Sequence, residues 1–282
     1  MVLGAMCFMC PAFGADAPTA PDSNSVRAPH KHGSGTELIK MPNIKHLETR
    51  LSTAPHVLRE QCKYESVIPT PPPIKEVALS FDDGPEPGQT EHILDVLKRH
   101  DIPAIFFVLG RKAKDHPELI EMIRADGKHL IGNHSWNHSN FHSIDEAAQA
   151  MEVKQTREYL PSAGPNYFRY PYGNSTCETN TLLHSMGYGI IGWHIDSCDW
   201  AFDHSGSVDE KDALICGVLP QHRRDYVGHV VSTVRARSGG IVLLHEIHPN
   251  TVKQLENIIV ALRAEGFVFK SLTEPGFASS VR

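Results

Sequence analysis

Val77-Ala78-Leu79-Ser80-Phe81-Asp82-Asp83-Gly84-Pro85 sets a short apolar run directly against four residues that favour a turn. Such a run, bounded by Gly and Pro, reads as a strand buried on both faces. Two carboxylates then stand where the chain leaves it. Similar runs recur at Ala104 to Leu109, Leu130 to Asn133, Tyr167 to Tyr170, Gly189 to Ile195, Ile241 to Leu244 and Phe267 to Lys270. Helical patterns lie between several of them, at Glu91 to Arg99, His116 to Ala125, Ile144 to Leu160 and Thr251 to Glu265. The third is expected to open on a capping box, Ser143-Ile144-Asp145-Glu146. This alternation implies an α/β fold with a largely parallel sheet and helices outside it. With about seven strands over about 200 residues, a closed or distorted barrel competes with an open doubly wound sheet.

Working outward, Ile68-Pro69-Thr70-Pro71-Pro72-Pro73 breaks any helix and sets the start of the main domain near residue 75. Residues 38 to 74 form an N-terminal extension, with a loose helical pattern up to Tyr64. Residues 18 to 37 are rich in Pro, Ser, Asn and Gly and read as a flexible linker, because they hold too little apolar surface to offset the entropy of ordering. Val2 to Gly14 is a short apolar stretch followed by Ala15-Asp16-Ala17, the small-residue pattern of a signal peptide over residues 1 to 17. No Lys or Arg precedes Arg27. The expected location is therefore secreted, periplasmic or extracellular. No stretch reaches the roughly 20 apolar residues of a transmembrane helix.

The 282 residues carry a net charge of −6 and are 40% hydrophobic, an ordinary globular composition. Charges of both signs are interspersed, and no basic run with interleaved aromatics would track a phosphate backbone, so nucleic acid is not an expected partner. Nothing in the sequence specifies an oligomeric state. Of six cysteines, Cys62, Cys177, Cys198 and Cys216 lie beyond the leader. None of these four is in a CxxC, and in an oxidising compartment they allow two disulfides with three possible connectivities.

The polar residues that end the strands carry the chemistry. Asp82 and Asp83 follow the first, at the carboxyl end where parallel sheets place active sites. Taken alone, Asp-Asp-Gly-Pro is also a good turn. His134 and His138 follow the third strand and could reach one divalent ion, which a carboxylate would complete. With eighteen histidines, about one such pair arises by chance, and His138 with His142 makes another. Arg169-Tyr170-Pro171-Tyr172-Gly173, Asp196-Ser197-Cys198-Asp199-Trp200 and Leu243-Leu244-His245 close three further runs. Each has a bland reading as a surface ion pair or turn. The ordered set, every member at a strand end, points to one metal hydrolysis site.

In these five motifs, in this order, the chain resembles the polysaccharide deacetylases of carbohydrate esterase family four, which include nodulation enzymes and peptidoglycan deacetylases. The resemblance spans Val77 to His245 and implies a distorted (β/α) barrel of seven to eight mainly parallel strands over residues 75 to 282. It implies that Asp83, His134 and His138 hold a divalent metal, commonly zinc. Asp82 would be the general base, held by Arg169, and His245 the general acid, paired with Asp199. Tyr172 would offer its backbone amide to the oxyanion, while Trp200 and Leu243 line the pocket for the acetyl methyl. The expected reaction is removal of N-acetyl groups from sugars of a polysaccharide, peptidoglycan first. Chitin, poly-N-acetylglucosamine and acetyl-xylan remain alternative substrates, and a catalytically silent glycan-binding module is the alternative of a different class. Two parts depart from the family pattern. The extension before Pro71 is not covered, and the long connection from Trp200 to Ile241 is expected to be a helical insertion walling one side of the groove. A Cys198–Cys216 disulfide would tie that insertion to the loop carrying Asp199.

Overall fold

A computed structural model describes residues 62 to 282 apart from Asp203. The signal peptide, the linker and the extension up to residue 61 lie outside the described residues.

The strands run β1 (Glu76–Gly84), β2 (Ala104–Val108), β3 (Leu130–Asn133), β4 (Tyr167–Phe168), β5 (Gly189–Ile190), β6 (Ile195–Asp196), β7 (Gly240–His245) and β8 (Val268–Phe269). They form one sheet in the order β5-β4-β3-β2-β1-β7-β6, with β8 added beside the start of β1, and the ladders are parallel throughout. The helices are α1 (Gln89–Arg99), α2 (Gly110–Asp115), α3 (Pro117–Arg124), α4 (Glu146–Arg157), α5 (Cys177–Ser185), α6 (Glu210–Cys216), α7 (Tyr226–Arg237) and α8 (Pro249–Ala264). The architecture is the distorted barrel rather than the open sheet.

Side-chain alternation along β1 divides the core in two. Val77, Leu79 and Phe81 point outward and pack with Ile93, Val96 and Leu97 of α1 and Ile258, Ile259 and Leu262 of α8. Each such fully buried side chain contributes about 1.5–3 kcal/mol. Ala78 points inward, among Ile105, Phe107 and Ile241, over a floor of Ile68, Leu272 and Phe277. The same inward line continues to Ser80 and Asp82 on β1, and from Ile241 to Leu243 and His245 on β7. One strand period thus yields apolar floor below and polar chemistry at the mouth.

The run Gly189 to Ile195 is two strands, not one. Its first half pairs with β4 and its last residue with β7, on opposite edges of the sheet. Ile191 to His194 spans the gap between them without a ladder. Instead, Trp193 bridges Val67 and Ile191 bridges Val281, so residues from both ends of the described fold fill the seam. Gly192 permits this, since a Cβ there would lie 2.0 Å from the carbonyl oxygen of Ser66.

Two further expectations change. The Ser143 capping box does not form; Asp145 caps α4 by accepting from the Ala148 amide at 2.8 Å, while the Ser143 amide bonds to Asn140 in the preceding turn. The connection from Trp200 to Ile241 is helical, but α7 is a core element. Its Val230, Val231 and Val234 are buried in the main cluster, and no described residue between Trp200 and Ile241 lines the central cavity. Disulfides join Cys62 to Cys177 and Cys198 to Cys216, with Cα separations of 4.9 and 6.0 Å.

Candidate active site

A cavity of about 500 Å³ opens at the carboxyl ends of the strands. Asp82, Asp83, His134, His138, Tyr172, Trp200, Leu243 and His245 all line it. Its size is that of a small-ligand pocket.

A regular strand would send Asp82 and Asp83 to opposite faces. The ladder with β2 instead slips one residue between Asp82 and Gly84, and Asp83 takes a left-handed φ of 70°. This bulge turns the second carboxylate back toward the mouth. Both then bear on one imidazole: His134 Nε2 lies 3.6 Å from Asp82 Oδ2 and 3.6 Å from Asp83 Oδ1. His138 Nε2 lies 3.3 Å from the same Asp83 oxygen. Left-handed φ values recur at Ser135, His138, Tyr172 and Cys198, all within or beside the motifs, a clustering of backbone strain typical of functional sites.

Asp83, His134 and His138 bring one ligand atom each within 4.8 Å of one another. Three local features fit them to a divalent ion. Asp83 Oδ1 is buried without a hydrogen-bond partner among the described residues. His134 Nδ1 donates to the Arg169 carbonyl at 2.8 Å, which leaves Nε2 as a lone pair facing the cavity. Burial, reinforced by His138, also holds the His134 pKa down at about 3, so the ring is neutral. By contrast His142, the other half of the second His-x₃-His pair, is occupied by the Lys63 and Ser175 carbonyls at 2.8 and 3.0 Å.

Arg169 is completely buried behind Asp82. Its Nη1 donates to Asp82 Oδ1 and to Ser80 Oγ, each at 2.8 Å, and its other donors reach the Ile191 and Gly192 carbonyls in the seam. Its guanidinium also lies over the Phe107 ring at 4.2 Å. Burial pushes the Asp82 pKa up, and Arg169 followed by His245 opposes that rise. On the far side, His245 Nδ1 donates to Asp199 Oδ1 at 2.7 Å, and the His245 amide donates to Oδ2 at 2.7 Å. Thr251 also donates to Oδ2. Burial disfavours the imidazolium, yet Asp199 outweighs it and raises the His245 pKa to about 10. Asp199 itself is lowered, because His245 more than offsets its burial.

Tyr172 is 62% exposed at the rim, edge-on to His138 at 4.6 Å, and Trp200 is 42% exposed across the cavity. Leu243 lies in the wall one strand period below His245.

Three residues have no sequence signal of their own. Glu152 on α4 accepts from the Trp136 and Asn137 amides at 2.8 Å and from the Ser139 hydroxyl at 2.8 Å, which shapes the loop carrying both histidines. Glu246 is fully buried behind the aspartate loop. It accepts from the Thr90 hydroxyl, which accepts the Glu86 amide, and its own amide donates to the Asp82 carbonyl at 3.0 Å. Gly84 makes room for it: a Cβ there would lie 1.7 Å from Glu246 Oε1. His248 also lines the cavity, edge-on to His245 with ring centroids 5.3 Å apart.

Residues 70–191 match the family model for polysaccharide deacetylase. The chain is 34% identical over 221 residues to a chitooligosaccharide deacetylase of Rhizobium leguminosarum bv. trifolii, an alignment covering 71% of this chain and 91% of that protein. The chain belongs to the polysaccharide deacetylase family. Within the family it is also 31% identical to the peptidoglycan-N-acetylglucosamine deacetylase PgdA of Listeria monocytogenes, over 71% of this chain and 38% of that longer protein. Among solved structures, the Bc1960 peptidoglycan N-acetylglucosamine deacetylase superposes with a TM-score of 0.60 at 28% identity, covering 74% of this chain and 91% of that one. The described polysaccharide deacetylase fold contains no helix long and apolar enough to cross a membrane.

Proposed function

We propose that this polysaccharide deacetylase hydrolyses N-acetyl groups on the amino sugars of an exported glycan, with peptidoglycan as the first substrate, and releases acetate. The reading rests on one observation. Two oppositely built pairs, Asp82 with Arg169 and His245 with Asp199, flank the Asp83–His134–His138 donor set. Glycan binding alone would need neither pair.

An amide carbonyl is a poor electrophile and its nitrogen a poor leaving group, so hydrolysis needs a base and an acid at once. A divalent ion held by Asp83, His134 and His138, with zinc suited to this donor set, would polarise the carbonyl and acidify an attacking water. Asp82 takes the water proton, and Arg169 keeps the carboxylate charged against the cost of burial. The Tyr172 backbone amide stabilises the oxyanion. His245, held as imidazolium by Asp199, delivers a proton to the departing nitrogen. Trp200 and Leu243 wall the space for the acetyl methyl. The acid is opposed to the base because their buried partners carry opposite charge.

The two disulfides and the apolar leader support export to an oxidising compartment. The barrel domain is taken as residues 75 to 282, buttressed by the extension from Cys62.

The test joins metal analysis to acetate release on intact peptidoglycan, chitin oligomers, poly-N-acetylglucosamine and acetyl-xylan. Acetate from peptidoglycan, dependent on one bound metal, is expected. Activity confined to acetyl-xylan would overturn the N-deacetylase reading. Glycan binding without acetate from any of the four would make the chain a silent binding module.

A further inference from the structure

Among the described residues, His248 is the one imidazole lining the cavity that neither the proposed metal set nor the proposed acid–base pairs employ. It is the N-cap of α8, where Ser, Thr, Asp or Asn would donate stability by bonding the first amides, yet its side chain makes no capping bond. Neither of its ring nitrogens has a hydrogen-bond partner among the described residues, although the ring lines the cavity beside His245. A capping role and a buried structural role are both poorly served by this arrangement.

Its neighbours suit a ligand. His245 Nδ1 is fixed on Asp199, which turns Nε2 toward the cavity. This carboxylate-backed imidazole is the usual preparation of a metal-binding histidine. Asp199, His245 and His248 bring one ligand atom each within 4.8 Å of one another. Both Asp199 oxygens are already engaged by His245 and Thr251, so its part is to back His245 rather than to bind first.

We propose that His245 and His248, backed by Asp199, form a second and weaker divalent-cation site that takes an imidazole-seeking ion such as zinc and inhibits turnover when filled. Binding replaces the Nε2 proton of His245, which leaves to solvent, and so removes the proton that the departing nitrogen needs. Two imidazoles and water make a poorer donor set than one carboxylate and two imidazoles, and a cation already at Asp83 repels a second. The first equivalent therefore fills the Asp83 set and the second fills this one. The inhibitory consequence rests on the acid role proposed for His245; the binding itself does not.

The experiment is a zinc titration of metal-free protein, with bound zinc measured by equilibrium dialysis and acetate release followed in parallel. Wild type is expected to bind two equivalents, with turnover greatest near one and falling as the second site fills. In His248→Gln and His248→Ser, the latter supplying a capping hydroxyl that protects the fold, only one equivalent binds and the inhibition midpoint rises about tenfold or more. His92→Gln, on the exposed face of α1, retains both equivalents. A wild-type stoichiometry of one, or retention of the second equivalent by both His248 variants, overturns the second site. Absence of acetate release at one equivalent would instead strike the deacetylase reading, and the stoichiometries would still decide this one.

Discussion

Asp82 and His245 are direct partners in the parallel β1–β7 ladder. Neighbouring strands lie about 4.8 Å apart, and residues at the same level project to the same face. The proposed base and acid are therefore placed by the barrel wall itself, one strand apart, while Arg169 and Asp199 fix their charges from behind. The Asp83–His134–His138 set lies beside Asp82, and all of these residues but Arg169 and Asp199 line the same cavity.

Asp82→Asn keeps the size of the side chain and its contact with Arg169 while removing the base. Metal content should stay near wild type and acetate release should fall by about 10²–10⁴-fold. His134→Ala should lose the metal. Elemental analysis beside the acetate assay separates the two, and full activity in Asp82→Asn would remove the base assignment.

Turnover should follow a bell-shaped pH curve. Activity rises as Asp82, pushed upward by burial, loses its proton, and falls as His245 loses its own near pH 10. In Asp199→Asn the charge that raises His245 is gone, so the alkaline limb should move toward neutral pH. A rate that stays flat to high pH in wild type would take His245 out of the acid role.

Glu246 braces the loop that carries both aspartates, and burial raises its pKa to about 8, against hydrogen bonding from Thr90. The folded state then holds a proton that the unfolded chain releases near 4.5, so stability falls as pH rises from about 4.5 to about 8. Glu246→Gln should flatten that slope and retain activity, whereas Glu246→Ala should lower both stability and turnover. Denaturant midpoints across the window give the slope; an unchanged slope in the Gln variant would show that the carboxyl titrates elsewhere.

The Cys62–Cys177 disulfide spans 115 residues and ties the entering segment to the loop after Tyr172. Cys62→Ser should cost about 4 kcal/mol and lower the thermal midpoint by roughly 10 °C, with a smaller loss for Cys216→Ser, whose bridge spans 18 residues. Calorimetry of the two variants compares them.

The sequence made the strand ends legible because a buried parallel strand is a continuous apolar run and the first polar residue after it must lie at the mouth. That logic reaches Asp82, His134, Arg169, Asp199 and His245 with their neighbours. It fails where an apolar run serves two edges of the sheet, as in Gly189 to Ile195, since burial on both faces leaves no period to mark the break. It fails again for Glu152, Glu246 and His248. A single polar residue beyond a motif carries no pattern, and its role is set by what the fold brings against it. Ser143 misled for a related reason: the spacing of a capping box was present, but Asp145 offered a competing oxygen two residues later.

The seam between β5 and β6 bears on how the domain can be handled. Glu65 is ion-paired with Arg282 there, and the Ile190 amide bonds to the Arg282 carbonyl. The two ends of the described fold thus leave the barrel at one corner, on opposite sides of the same zip. A short linker from Arg282 to Cys62 could join them in a circular permutant with new termini in a surface loop, whereas excision at residue 70 would pull out one side of the fastening and leave the barrel wall gaping beside Arg169.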